Sequence, residues 1–381
     1  MIGTENKYVF RFSLGEDQDF IDEPDLGKFT MIEESGNILP TFHLTFMTRN
    51  EKIVPRLNEG FPLEVSYGKD SQNLIDVSLA PTRVQSFRKG EGRRQVGVTG
   101  LMSANPYVME SDIFISQEKS ALEVMRDQIQ GIFTPDFNRQ RSNDSQIWIR
   151  HNQTKKKFVN QLWTHADLGN SFPAVAISAD GRFIMRDVIQ ALNEDFKWRF
   201  VPDPDNNNPQ DIYYNANYDT DNMSGFINGW FGYGREKSVF DMEEGSHSFQ
   251  ASEVEPILAT TGKLAKRADI EKRFSNTGAV SQNTHPNYWQ SALHNISNLV
   301  TMGAVKLVLT TENIFFNIRP LDLVMFRDTT VDRENVGEGN SSEFNSGLYL
   351  TGKVVRTVEN RQFLTTVEIM RESFNNVQTQ V

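Results

Sequence analysis

The chain has 381 residues, a formal net charge of −11, 38% hydrophobic and 23% charged residues, 27 phenylalanines and no cysteine. That balance suits a chain burying cores in roughly two to four domains and excludes a disordered polypeptide. The missing cysteines exclude disulfides and thiolate metal sites, and the acidic balance argues against phosphate neutralisation as the main task, which needs a Lys/Arg excess.

Residues 1–110 read as all-β. The start, Met1 to Tyr8, lacks an apolar stretch behind a basic end, so no signal peptide is expected. No apolar run approaches about 18 residues, so no membrane insertion is expected either. Tyr8–Leu14 is a first strand. In Thr41–Phe46, Phe42, Leu44 and Phe46 alternate with polar neighbours, the period of a half-buried strand. Leu63, Val65 and Tyr67 alternate next, then Ile75, Val77 and Leu79. Val84–Arg88 and Gln95–Leu101 form a hairpin with its tip at Lys89–Arg93. Short strands between Gly- and Pro-marked turns predict a barrel or sandwich.

The pattern changes at Asp112. The stretch Asp112–Ile115 is followed by Ser116 as a helix N-cap; Leu122, Met125 and Ile129 recur at helical spacing, and Gly131 stops the helix. Thr154 caps a second helix with Phe158, Val159, Leu162, Trp163 and Ala166 on one face, ended by Gly169. Residues 174–178 and 182–187 form a hairpin around Asp180-Gly181, a type I′ signal. Residues 201–208, rich in Pro and Asn, are a loop. Strands return at 211–217 and 225–233, and the polar, weakly periodic residues 241–285 read as an extended loop or arm. Pro286 stands at N1 of a helix whose face is Trp289, Leu293, Ile296 and Val300. The last quarter is strand-rich: 304–311, 313–318, a proline corner opening 319–326, and a long hairpin of 347–358 and 363–371 about a turn at 359–362.

Chemistry is sparse. His43, His151, His165, His247, His285 and His294 form no HxH or HExxH spacing, and the pair His151 and His165 reads as ordinary polar or capping residues before it reads as a metal site. Asp203, Asp205, Asn207 and Asp211 resemble a calcium loop, but its sixth position is Asn208, its twelfth Tyr214, and a strand follows. Gly229, Gly232 and Gly234, set among aromatics, suit a bent strand or a subunit contact rather than a dinucleotide loop. Lys155–Lys157 and the Arg88, Lys89, Arg93, Arg94 tip are basic clusters that read as solvated faces, and the tip is long enough to touch a neighbouring subunit. No nucleophile elbow, Walker loop or paired catalytic carboxylates is recognisable. No catalytic, cofactor-binding or metal residue is assigned, no cofactor is expected, and the chain is not expected to be an enzyme.

The order of elements resembles the baseplate hub protein of contractile-tailed bacteriophages, whose fold is shared with the hub half of the type VI secretion spike. Four segments carry the resemblance. They are Asn317–Phe326, the strand with Gly347, Tyr349 and Val354 paired with the threonine-rich strand ending at Arg371, the 286–300 helix, and Trp148–Thr154 followed by Phe158–Leu162. The sequence departs from the family at Leu321-Asp322, where Gly-Asp is expected. The resemblance implies an α+β, mainly β fold: two tail-tube-like antiparallel β-barrels plus an inserted α/β domain, assembling as a trimeric pseudo-sixfold ring. It places the first barrel at 1–110, the α/β domain at 111–207 with 241–303, the second barrel at 208–240 with 304–372, and a tail at 373–381. It implies a homotrimer that adapts a sixfold tube to a threefold spike in the virion tail baseplate, assembled in the host bacterial cytoplasm. The implied partners are the tail tube or its initiator, the central spike and baseplate wedge proteins, with DNA passing an acidic lumen without specific binding. Lys353, Arg356, Thr365, Thr366 and Glu368 of the last hairpin would face that lumen or a neighbour. The alternatives are a tail-associated cell-wall hydrolase, or a carbohydrate-binding receptor module with exposed aromatic platforms.

Overall fold

Alternation of buried and half-exposed side chains, expected from the sequence over 41–46, continues through most strands of the computed structural model, which describes residues 9–15, 17–18, 21, 25–70, 72–90, 92–202, 208–214, 218–223, 234–253, 273–280, 284–312, 314–328, 345–360 and 362–372. The N-terminal strands are β1 (Val9–Leu14), β2 (Asp17–Gln18), β3 (Leu26–Glu34), β4 (Thr41–Thr48), β5 (Leu63–Gly68), β6 (Leu74–Arg88) and β7 (Arg94–Met102), with helices α1 (Ile53–Asn58) and α2 (Asn105–Met109). β3 is an element the sequence reading lacks. Its inward positions are Phe29, Met31 and Glu33, and the third, a carboxylate, interrupts the apolar alternation.

The middle of the chain holds β8 (Phe114–Lys119), α3 (Ala121–Ile129), β9 (Thr134–Phe137), β10 (Gln146–Arg150), α4 (Lys155–His165), β11 (Pro173–Ile177), β12 (Arg182–Asp187) and α5 (Val188–Leu192). Ser116 is not a helix cap; it lies inside β8, opposite Trp148 of β10. Ser120 caps α3 instead, in a capping box with Glu123, whose carboxylate accepts from the Ser120 N–H at 3.0 Å. Thr154 caps α4 as expected, accepting from the Lys157 N–H. The Asp180-Gly181 hairpin forms, but only Gly181 has positive φ. Its N–H bonds Ser178 O, and the Ser178 N–H bonds Arg182 O. This is a turn closed by a left-handed glycine rather than the type I′ turn, which needs two positive-φ residues.

Then follow β13 (Trp198–Val201), β14 (Asp211–Tyr213), β15 (Asp219–Asn222), β16 (Gly234–Asp241), β17 (Ser246–Glu253), β18 (Arg273–Val280), α6 (Tyr288–Met302), β19 (Val305–Glu312), β20 (Leu323–Phe326), β21 (Gly347–Glu359) and β22 (Gln362–Arg371). Residues 225–233 lie outside the described residues. The extended arm expected over 241–285 is corrected in part: β16, β17 and β18 form a three-stranded sheet. The residues joining β16 to β17 are exposed, so no apolar periodicity marks the hairpin. The last helix is turned relative to expectation. Leu293 is buried, but Ile296 and Val300 are exposed, while Ser291, Asn295, Ser297, Asn298 and Thr301 are buried. Asn295 explains the choice: its amide donates to Ala166 O at 2.8 Å and Thr164 O at 3.1 Å. It thereby satisfies carbonyls left open at the end of α4. Pro286 precedes the N-cap Asn287 rather than standing at N1.

The molecule is mainly-β α+β, built on one 14-stranded sheet. β21 is its hub strand. Leu348 and Leu350 pair with β20, residues 353–359 pair with β3 on the same side, and β22 runs along the other edge. β19 extends the sheet from β22, and β15 pairs with β19 through Asp219↔Val308 to Asn222↔Val305. A strand from about ninety residues upstream thus joins the C-terminal strands in one sheet.

The proline corner closes although Leu321 holds the position where glycine is expected. Leu321 has φ of 66° and is 1% exposed. Its N–H bonds Thr351 O at 2.7 Å, the Asp322 N–H bonds Arg319 O at 3.2 Å, and the Asp322 carboxylate accepts from the Arg319 N–H at 2.8 Å. Leu321→Gly would relieve about 1–2 kcal/mol of left-handed strain and lose about 2–5 kcal/mol of leucine packing. The expected net result is a lower urea midpoint; a raised midpoint would show that strain outweighs packing.

Candidate functional site

The inward alternation of β3 and β21 ends in two charged residues that meet inside the molecule. Glu33 follows Phe29 and Met31; Arg356 lies between Val354 and Val358. They are diagonal neighbours on paired strands, 2% and 1% exposed. Arg356 Nη1 donates to Glu33 Oε2, Nη2 donates to Ile318 O at 2.6 Å, and Glu33 Oε1 accepts from the Ala179 N–H at 2.8 Å. Four separate parts of the chain are tied here: β3, β21, the β11–β12 turn and the segment entering the proline corner, which is not a strand. Around the pair lie Tyr67 and Phe315, with the guanidinium carbon about 6 Å from each ring centre, at 6.0 and 5.9 Å.

Burial, the largest influence, pushes the Glu33 carboxyl above its ordinary value, against the Arg356 guanidinium and the Ala179 N–H that hold it down. Burial is also the largest influence on Arg356 and works to lower it, but the Glu33 charge and hydrogen bond together with Tyr67 and Asp180 outweigh it and raise that group. Beside them, Asp180 accepts from Arg319 at 2.7 and 3.1 Å, from Arg182 at 3.0 Å and from the Ser178 hydroxyl. Burial works to raise Asp180, and these donors hold it below its ordinary value of 3.8. Its stabilisation is therefore present above that value and lost as pH falls through the lowered one. Asp180→Asn is expected to cost about 1–3 kcal/mol at neutral pH, with the difference from wild type closing only below pH 3.8. Equilibrium unfolding across pH checks it; a pH-independent difference would show that shape, not charge, holds the turn.

The outer face of the same strands is different. Lys28 pairs with Glu359 at 3.0 Å, Lys353 with Glu34 at 2.5 Å and Lys306 with Glu368 at 2.9 Å. Thr30 and Thr357 hydroxyls lie 3.4 Å apart, and those of Thr310 and Thr366 3.2 Å. Ile32, Val355 and Leu364 stand half-buried between them. Of the five hairpin residues expected to face a lumen or neighbour, Lys353, Thr366 and Glu368 lie on this face. Arg356 and Thr365 do not: they are buried, at 1% and 0% exposure. The period-two alternation puts 356 and 365 on the core side.

The other sequence candidates do not converge. His43 and His151 are exposed. His165 stacks on Tyr288 at 4.0 Å, with Nδ1 2.8 Å from Gln161 O. His247 lies against Phe240 at 4.9 Å. His285 Nδ1 accepts from the Asn287 N–H, and burial lowers His294. Among the described residues no three His, Cys, Asp or Glu gather as a metal site. Asp211 is held by Arg199 through bonds of 2.6 and 2.7 Å; Asp203, Asp205 and Asn207 lie outside the described residues, as do Gly229 and Gly232. Gly234 opens β16. Lys155 pairs with Glu110 at 2.6 Å, and the Arg88, Lys89, Arg93, Arg94 tip extends at the β6–β7 turn. A cleft of about 710 Å³ is lined by Leu74, Trp198, Ile212, Phe315 and Phe316. Its carboxylate, Asp211, is the one already committed to Arg199, so the cleft offers no acid–base pair among the described residues. Among the described residues the Glu33–Arg356 arrangement braces a sheet.

No protein-family model and no curated protein matches the chain. Solved structures do match its fold over nearly its whole length. The tail protein from Neisseria meningitidis MC58 superposes with a TM-score of 0.57 at 10% identity, covering 96% of this chain and 97% of that one. The 43 kDa tail protein of prophage MuSo2 from Shewanella oneidensis gives a TM-score of 0.55 at 8% identity, covering 95% and 96%. A type VI secretion system component of E. coli gives 0.49 at 9% identity, covering 95% and 77%. The chain has the fold of these tail proteins.

Proposed function

We propose that the chain is a structural component of a contractile-tail hub: three copies form a ring that joins a sixfold tube to a threefold spike and surrounds a channel. The observation that carries the reading is the full-length correspondence of fold with two tail proteins. The pairing of β15 with β19 supports it, because the resemblance needs those two parts of the chain in one sheet. The division into two barrels, at 1–110 and at 208–240 with 304–372, and an α/β domain, at 111–207 with 241–303, belongs to the same proposal.

The outer face around β21 suits a channel wall. Its lysines and glutamates are paired with each other, and its hydroxyls are paired across strands. Such a face offers a passing polyanion no surplus positive charge. The proposed place of action is the virion tail, with tube, spike and wedge proteins as partners.

Purified protein mixed with bacterial cell walls tests the main rival. No release of soluble fragments is expected; clear lysis would overturn a purely structural role. Binding on a glycan array would favour the receptor-module alternative.

A further inference from the structure

We propose that the β6–β7 hairpin tip of one copy docks on the isoleucine patch of β8 and β10 on a second copy of this chain. The inference rests on the ring reading and adds the surfaces that meet.

The tip leaves the body of the sheet. β5 covers β6 only over Leu74–Leu79, while β7 pairs with it as far as Arg88. Beyond the bulge at Pro81/Arg83, among the described residues, no strand pairs with the other edge of β6. Every residue from Gln85 to Gly90 is exposed, and Phe87 is 59% exposed. Arg83, Arg88, Lys89, Arg93 and Arg94 are its neighbours along the hairpin, with Glu91 the one carboxylate between Pro81 and Arg94. The tip therefore carries +4 and the rest of the chain −15. Cations alone would guard an open strand edge against misassociation. An aromatic side chain presented among them has no such purpose, and an aromatic anchor beside arginines is what an interface centre uses.

The counterpart lies elsewhere on the molecule. β8 and β10 form a two-stranded sheet. Its inner face buries Trp148 and Arg150, while its outer face sets Ile115 directly across from Ile149. Ile113, Ile115 and Ile149 are 65%, 60% and 53% exposed, and Met109 at the end of α2 is 75% exposed. A two-stranded sheet is marginal when one apolar face stays in water. The patch is flanked by Glu110 and Asp112; each has a cation in its own chain, yet their side chains remain 52% and 67% exposed. Phe87 meets isoleucines and the surrounding cations meet carboxylates. Because tip and patch are different surfaces, each copy donates one and receives on the other, so the contact repeats and can close into a ring.

The absence of cysteine permits a clean test. Chains carrying only Phe87→Cys and chains carrying only Ile115→Cys are mixed and oxidised. A disulfide-linked heterodimer is expected in the mixture and not with either variant alone. In parallel, Phe87→Glu and Ile115→Arg are each expected to shift the oligomer to monomer by mass photometry, with unchanged circular dichroism. Mixing these two variants should give a dimer and nothing larger, since one intact tip and one intact patch remain. Oligomers that persist in both variants, with no cross-link, would overturn the docking and leave the hub reading standing. A cross-linked assembly that is not threefold would keep the docking and overturn the hub. A wild type that stays monomeric both alone and with the proposed spike partner would overturn both.

Discussion

Arg356→Ala should be the most damaging single replacement of a charged side chain, costing about 3–5 kcal/mol. The reason is what it leaves behind. Glu33, 2% exposed, would keep one N–H donor, from Ala179, and lose its counter-charge; Ile318 O would lose its donor as well. Replacing both members by methionine should recover much of the loss, because an apolar pair of similar volume needs no desolvation of charge. The pH dependence separates this mechanism from lost packing. The folded pKa of Glu33 is raised by burial, and removing the guanidinium raises it further. A raised carboxyl contributes stability that is present below its unfolded value and lost as pH rises through the folded one. The Arg356→Ala deficit should therefore be largest at neutral pH and shrink towards pH 4.5 and below. Urea unfolding of the single and double variants across pH measures it. A constant deficit, or a double variant no better than the single, would assign the effect to shape alone.

Phe363→Ala is expected to cost about 3–5 kcal/mol and to loosen both ends of the chain together. Phe363 is on β22 and 0% exposed. Its ring lies 6.0 Å from Phe10 of β1 and 5.8 Å from Phe315 before the corner. Phe10 in turn packs on Tyr67 at 5.3 Å and Phe29 at 5.4 Å. This aromatic cluster joins N-terminal strands to the C-terminal hairpin, so removing one ring opens a cavity felt on both sides. Hydrogen exchange should show protection falling in 9–102 and in 305–371 alike. A loss confined to β22 and its neighbours would mean that the two sets of strands are energetically separate.

Much of this could be read in the sequence wherever one face of an element is apolar. β4, β5, β19 and the final hairpin announce themselves by period-two alternation, and α4 by its cap and its stripe. The reading fails where the buried face is polar for a structural reason. β3 hides because Glu33 stands in an apolar row, and that same interruption, matched by Arg356 between Val354 and Val358, is the signal that could have found the brace. Their separation of 323 residues gave no local clue to the pairing. The last helix was turned the wrong way because Asn295 is buried to serve the carbonyls closing α4, which no periodicity records. At the corner, the unexpected Leu321 takes a left-handed backbone and is held there by burial and by its bond to Thr351 O.

The most direct test of the hub proposal is imaging of the purified chain, alone and with the proposed spike partner, by mass photometry and electron microscopy. The account predicts particles of three 43.5 kDa chains forming a ring with a central channel and pseudo-sixfold symmetry. A stable monomer that forms no ring in either condition would contradict it.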